Sequence, residues 1–199
     1  MGSQIIEDTR QQVARGDKHA VKHEWFEAHG VQVIRAKLDF GDYAMAGSNI
    51  AVDTKRSVDE LAQNIVRDHE RFKRECIRAR DAGWRLIILI EDGRYVDIAK
   101  LASWTNGHCT KCPHYWRQSC NPRAGGKCPR HNTRKPPHGD RLIKAMGTMT
   151  ERYGVRFQFC APQDTGRIIC ELLGAAYDED TKSDPDNVQG YQVPLKAGS

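Results

Sequence analysis

Asp53, Thr54 and Lys55 follow the apolar pair Ala51-Val52, and a further acid, Asp59, stands four residues beyond the lysine. On a β-strand, residues i and i+2 project to one face, so Asp53 and Lys55 emerge together. Asp42, in Gly41-Asp42-Tyr43, begins the partner strand of a hairpin and can bring a second carboxylate to the same place. Two neighbouring carboxylates suit a hard divalent cation such as Mg²⁺ or Mn²⁺, which takes oxygen ligands and keeps several waters. A lysine beside them can orient a water or stabilise a pentacovalent phosphate. The set Asp42…Asp53-x-Lys55 therefore holds what phosphodiester hydrolysis requires. The tripeptide alone is common by chance and also fits a solvated charge pattern, so its surroundings must decide.

A second group of chemically capable residues lies in "CTKCPHYWRQSCNPRAGGKCPRH", with the spacing C-x2-C-x7-C-x7-C-x2-H. Zn²⁺ favours four tetrahedral sulfur or nitrogen ligands, and a C-x2-C step lets two sulfurs clasp one ion. Cys109, Cys112, Cys120 and Cys128 are the simplest set; His131 or His114 are alternates, with His108 further down the order. Such a site is structural and closed. Two disulfides are the competing reading, disfavoured by the intracellular setting. Tyr115 and Trp116 beside Arg117, Arg123, Arg130, Arg134 and Lys135 offer stacking and phosphate contacts suited to DNA at a branch or single strand. The plainer alternative is a small cap with its aromatics turned inward.

Positioning these residues requires a framework, and the hydrophobic pattern supplies one. Gln4 to Glu7 reads as a strand presenting Asp8 and Arg10 at its end; residues 18–29 read as a helix stopped by Gly30, and 31–38 as a strand. A hairpin turns around Gly47-Ser48-Asn49. Residues 57–82 form a long polar helix with a break near Val66, opened by a capping box of Ser57 and Glu60. "WRLIILIED" is an unbroken apolar strand, buried on both faces. Helix, strand and helix return in "DRLIKAMGTMTERYG", "VRFQFC" and "TGRIICELLGAAY". Alternating strands and helices predict an α/β domain, interrupted once. Residues 4–102 and 140–177 form its two parts, 103–139 the cysteine-rich insert, and 178–199 a flexible tail. The insert has four Cys, four His and five Pro without apolar periodicity, so a bound ion must organise it.

Composition narrows the classes. The 199 residues are 39% hydrophobic and 29% charged, as in a globular protein, and no apolar run could span a bilayer. No signal peptide is evident, which predicts a cytoplasmic location, nucleoid-associated in a bacterium or phage and nuclear in a eukaryote. The net charge is +5, and basic residues cluster in 67–80, with Arg71 and Arg74, and in 117–135, as phosphate contacts require.

Taken together, "IIEDTRQ", "LDFGDY", "VDTKRSVDEL", "RFKRECIRARDAGWRLIILIEDG", "ERYGVRFQF" and "IICELL" resemble, in order and spacing, the XPF/Mus-type structure-specific endonucleases. These are a branch of the PD-(D/E)xK restriction-endonuclease-like superfamily, and the resemblance implies a mixed central sheet flanked by helices. The resemblance covers about residues 5–98 and 140–173. It implies that Asp42 and Asp53 bind the metal and that Lys55 is the catalytic lysine. It matches Asp8 and Arg10 to the first acidic-basic pair, with Asp8 supporting the metal and Arg10 the scissile phosphate. Asp59 matches the acid opening the next helix, and Arg56, Arg71 and Arg74 fall on DNA-contacting ground. Two departures stand out: Thr54 replaces the arginine of Glu-Arg-Lys, and Gln11 replaces an acid after Arg10. Glu24 is a further candidate acid, though a solvated helix face suits it better. The resemblance includes no helix-hairpin-helix pair, so grip on substrate must come from the insert, a homodimer partner or a separate subunit.

The expected function is metal-dependent hydrolysis of branched, flapped or forked DNA. Alternatives are a Holliday-junction resolvase or recombination exonuclease, an inactive DNA-binding subunit of the same fold, and a zinc-ribbon interaction module. Intact Asp42, Asp53 and Lys55 argue against the inactive subunit, and a zinc ribbon explains only the insert.

Overall fold

A computed structural model describes residues 4–10, 20–66 and 68–178; Gln11, Arg67 and the tail after Asp178 lie outside the described residues. The sheet has six strands, β1 (Gln4–Asp8), β2 (Gln32–Ala36), β3 (Tyr43–Met45), β4 (Ile50–Lys55), β5 (Arg85–Ile90) and β6 (Arg156–Phe159), in the order β2-β1-β3-β4-β5-β6. It is mixed: β3 pairs antiparallel with both β1 and β4, while β1–β2, β4–β5 and β5–β6 are parallel. The expected α/β class with a helix-flanked mixed sheet is what forms.

Helices cover both faces because strands buried on both sides need apolar partners on each. On one face lie α2 (Val58–Val66), α3 (His69–Asp81) and, beyond α4 (Ile98–Ser103), α7 (Gly139–Tyr153). Val58, Leu61, Ala62 and Ile65 repeat at helical spacing along α2 and pack with Ala51, Ile88 and Ile90 of the sheet. On the other face α1 (Ala20–Ala28) and α8 (Thr165–Leu173) bring Phe26, Ile168, Ile169 and Leu173 against Ile5, Tyr43, Val52 and Leu89. Neighbouring residues of β5, Ile88 and Leu89, thus serve opposite cores, which is why that strand has no polar position after Arg85.

The long helix expected over 57–82 is divided at Val66, where Asp68 N–H reaches back to the Gln63 carbonyl (3.2 Å). The capping box is half formed. Ser57 Oγ accepts from Glu60 N–H (3.2 Å), but Glu60 Oε2 takes the N–H of Arg56 (3.0 Å) instead of the Ser57 N–H. The last helix stops at Leu173, earlier than the pattern to Tyr177 predicts, because Gly174 takes a left-handed conformation (φ +73°).

The insert leaves and re-enters the core at one point. Thr105 bridges His138, and Gly139 N–H donates to the Trp104 carbonyl (3.0 Å). Gly139 has no room for a side chain: a Cβ there would overlap the Leu101 carbonyl oxygen and lie 2.6 Å from that of Ala102. Between these ends the insert forms two one-turn helices, α5 (Gly107–Thr110) and α6 (Pro113–Trp116), and a tight loop in which Cys128 and Thr133 are bonded. No helix among the described residues is long and apolar enough to cross a membrane.

Candidate active site

The centre is built at the end of the β3–β4 hairpin away from its turn, where the chain enters β3 and leaves β4. Gly41 takes φ +67°, and a Cβ there would lie 2.9 Å from the Val52 carbonyl oxygen, so only glycine lets the chain approach β4. Asp42 N–H then donates to that carbonyl (2.8 Å), seating Asp42 opposite the reactive end of β4. Its Oδ2 accepts from both the backbone N–H and the hydroxyl of Thr54, each at 2.7 Å. The residue that replaced an arginine in the expected motif is therefore the one that aims Asp42. Sequence reasoning passed over Thr54 as a tolerated substitution; its hydroxyl, midway between acid and lysine, was the available signal.

Asp53 and Lys55 share the face that packs toward α2 and α3. Both are more than nine-tenths buried, and Lys55 Nζ donates to Asp53 Oδ2 at 2.6 Å. Burial drives the Asp53 carboxyl upward; the Lys55 ammonium opposes this and the Asp42 charge adds to it, leaving Asp53 titrating at about 7. Burial alone would lower the Lys55 ammonium, but the charges of Asp53 and Asp42 outweigh it and hold it above its ordinary value. Glu75, on α3, adds negative potential at both Asp53 and Arg10. It forms no hydrogen bond or ion pair among the described residues, and the sequence reading did not single it out.

The remaining expected residues divide. Asp8 is buried, but its carboxylate is taken up: it accepts from the Arg10 backbone, from Arg10 Nε and Nη2, and from Leu38 N–H (3.1 Å). The Arg10 hydrogen bonds pull its pKa below the ordinary carboxylate value, against the effect of burial. Arg10 itself is 62% exposed, and its Nη1 is unbonded among the described residues. Asp59 is turned away from Asp53; its Oδ1 accepts from Gly107 N–H (2.7 Å) and ties α2 to the insert. Glu24 is exposed on α1, across the sheet from Asp53 and Lys55. Arg56 and Arg71 are exposed beside Glu60 and Asp68, at 3.8 Å each, and Arg74 is exposed on α3.

In the insert, Trp116 is 73% exposed, so the inward-facing cap is not what forms. Arg117 and Arg130 are exposed, while Tyr115 is half-buried. Arg123 is occupied: Nη1 donates to Asp140 Oδ2 (2.9 Å) and Nη2 to the Ala102 carbonyl (2.6 Å), strapping the insert to the start of α7. Lys135 is likewise spent on the carbonyls of Asn121, Ala124 and Gly125. Arg123 and Lys135 therefore have fewer donors free for phosphate than the rest of the basic stretch, because these groups already hold backbone carbonyls. All seven cysteines are free thiols. The Cys109 thiol is raised by burial and then by Cys120, Cys128 and Cys112, which places the four sulfurs within electrostatic reach of one another. Among the described residues, no group of three or more His, Cys, Asp or Glu side chains has closed into metal-holding geometry.

A mixed six-stranded sheet sandwiched by helices is the restriction-endonuclease-like fold, and here an acid-lysine pair and a facing carboxylate lie at the ends of adjacent strands. The family model of the ERCC4 domain matches residues 8–172, and the chain belongs to that family of structure-specific endonucleases. Among solved structures, XPF from Aeropyrum pernix matches with a TM-score of 0.50 and 21% identity, over 93% of this chain and 70% of that one. At that identity the likeness is one of fold. No curated protein sequence matches.

Proposed function

We propose that the protein is a divalent-metal-dependent endonuclease that cuts DNA at branched, flapped or forked positions. The observation that carries this reading is the buried Asp53–Lys55 pair at the end of β4, faced by Asp42. Asp42 Oδ1 and Asp53 Oδ1 accept no hydrogen bond among the described residues, so two hard oxygens are left for a cation. Two carboxylates suffice for Mg²⁺ or Mn²⁺, which retain waters of their own. A bound ion would polarise the phosphate and acidify a water.

The chain's own residues do the rest. Asp53 must be ionised to hold the cation, and Lys55 keeps it company as a charged partner. Because Lys55 stays protonated, it acts as a donor to the phosphate's developing charge, with no part as a base. Thr54 fixes the orientation of Asp42. Arg10, clamped by Asp8 yet exposed at its tip, is placed to meet a neighbouring phosphate oxygen, which makes Asp8 a positioning residue. Cys109, Cys112, Cys120 and Cys128 supply four soft ligands for a structural Zn²⁺, with His131 and His114 as alternates. The nuclease core is proposed to pair as a homodimer.

The test is cleavage of labelled duplex, flap, fork and four-way-junction DNA with Mg²⁺, Mn²⁺ or chelator, beside Asp53→Asn. Metal-dependent cutting of branched substrates that Asp53→Asn abolishes is expected. No cutting of any substrate, or equal cutting by the variant, overturns the assignment.

A further inference from the structure

The insert is the most electrically one-sided part of the chain. Residues 103–139 contain seven Lys or Arg and no Asp or Glu; since the whole chain is +5, everything else is net −2. The entire positive excess thus sits in one flap, and the fold decides what that flap faces.

It faces a cleft of about 1280 Å³ whose opposite wall is α2 and the end of β4, Lys55 included. Cys109, Cys112, Cys120 and Cys128 line its insert side, so part of that volume belongs to the proposed zinc site and the rest is left for a ligand. On the α2 side the three acids are engaged: Asp59 with Gly107 N–H, Glu60 with Arg56, Asp68 with Arg71. On the insert side Arg130 and Arg134 carry no side-chain hydrogen bond or ion pair among the described residues. The charge left unneutralised in the cleft is therefore positive and points at an anion.

The aromatic pair adds the second requirement. Tyr115 lines this cleft and also a smaller pocket of about 410 Å³, whose other wall is Trp116. The two rings stand edge to face, 6.0 Å apart at 79°, and most of the Trp116 surface is open to solvent. Bases within a duplex are stacked on each other and have no free π-face; an unpaired base has one, and stacking on an aromatic side chain is how sequence-tolerant single-strand binding is achieved.

We propose that the cleft between α2 and the insert is a channel for single-stranded DNA. Arg130 and Arg134 contact its phosphates, and Tyr115 and Trp116 receive an unpaired base in the adjoining pocket. The inference rests on the proposed nuclease site in one respect: Lys55 lines the same cleft, so the strand held there is the one that continues from the scissile phosphate. The channel makes the insert the element that distinguishes a strand end or branch from continuous duplex.

The experiment uses the full chain carrying Asp53→Asn and reads fluorescence anisotropy at fixed salt. The probes are labelled oligothymidylate, a blunt duplex, and the same duplex with a single-stranded overhang. Trp116→Ala, and Arg130→Glu with Arg134→Glu, are expected to weaken oligothymidylate and overhang binding about five- to a hundredfold. Blunt-duplex binding is expected to stay within about twofold, and Trp116→Tyr to restore single-strand binding by keeping a stacking ring. Lys144→Glu, on exposed α7 surface outside the cleft, controls for net charge. The channel is refuted if Lys144→Glu weakens single-strand binding as much as the cleft variants do. It is equally refuted if blunt-duplex binding falls in step, or if no cleft variant moves the oligothymidylate. Cleavage is not read in this assay, so an inactive wild type would sink the nuclease reading alone.

Discussion

At the scale of single residues, the centre turns on how two neighbouring charges are buried together. Asp53 titrates at about 7, so below that pH a cation must displace a proton to bind. Mn²⁺ affinity, followed calorimetrically, is expected to rise roughly tenfold per pH unit up to about 7 and then level off. The same shift has the opposite sign for metal-free stability. An acid whose folded pKa exceeds its unfolded value stabilises the fold at low pH and loses that contribution as pH rises from about 4 to about 7. Asp53→Asn should flatten this slope in urea titrations; an unchanged slope would mean the carboxyl is not raised. Asp8 behaves in the reverse sense, since its folded pKa is lowered by Arg10. Its contribution is present above the unfolded value and disappears as pH falls through the folded one. Asp8→Asn is expected to cost about 1–2 kcal/mol at pH 7, moderated by the exposure of Arg10, and progressively less as pH falls below the unfolded value. Lys55→Ala should lower the turnover of any DNA that is cut by about 10²–10³-fold, as removal of a preorganised donor does.

At the scale of elements, helix α7 offers a paired test of what its glycines do. Gly139 abuts the carbonyls that end α4, so Gly139→Ala forces the two helices apart and is expected to cost about 1–3 kcal/mol. Gly147 lies mid-helix with nothing within 4 Å of a built Cβ, and Gly147→Ala should stabilise by about 0.5–1 kcal/mol. Chemical denaturation of the two variants reads both signs; a stable Gly139→Ala protein would contradict the tight neck of the insert. The single bond from Asp59 to Gly107 N–H makes a further element-scale prediction. Asp59→Ala should speed amide hydrogen exchange across 105–112 while leaving β5 protected. Uniform protection would place the anchor elsewhere.

At the scale of the molecule, core and insert are stabilised by different physics. The core has two apolar layers; the insert has a tight neck, few buried apolar side chains and four free thiols. If the proposed zinc is bound, a thiol-reactive reporter added to the purified protein should release one equivalent and unfold only the insert. The main thermal transition should stay within a few degrees, while oligothymidylate binding collapses. Simultaneous loss of the main transition would show that the ion holds the core as well.

Much of this was legible because it is local. A period-two pattern puts Asp53 and Lys55 on one face wherever the strand lies, Gly41 announces a turn, and "LIILI" has no polar position to expose. The cysteine spacing marks Cys109, Cys112, Cys120 and Cys128 as a candidate ligand set in the same local way, but among the described residues they have not closed into metal-holding geometry. What stayed hidden depends on which distant groups meet. Only the folded chain consumes Asp8 on Arg10 and Leu38, turns Asp59 to Gly107, and spends Arg123 on Asp140. Only it gives Thr54 the aiming of Asp42. It also sets a flap without a single acid opposite α2, above Lys55. Side-chain periodicity reports the face on which a residue lies, because that is decided within a few bonds. The partner across the cleft is chosen by packing among segments tens of residues apart, and no spacing along the chain encodes it.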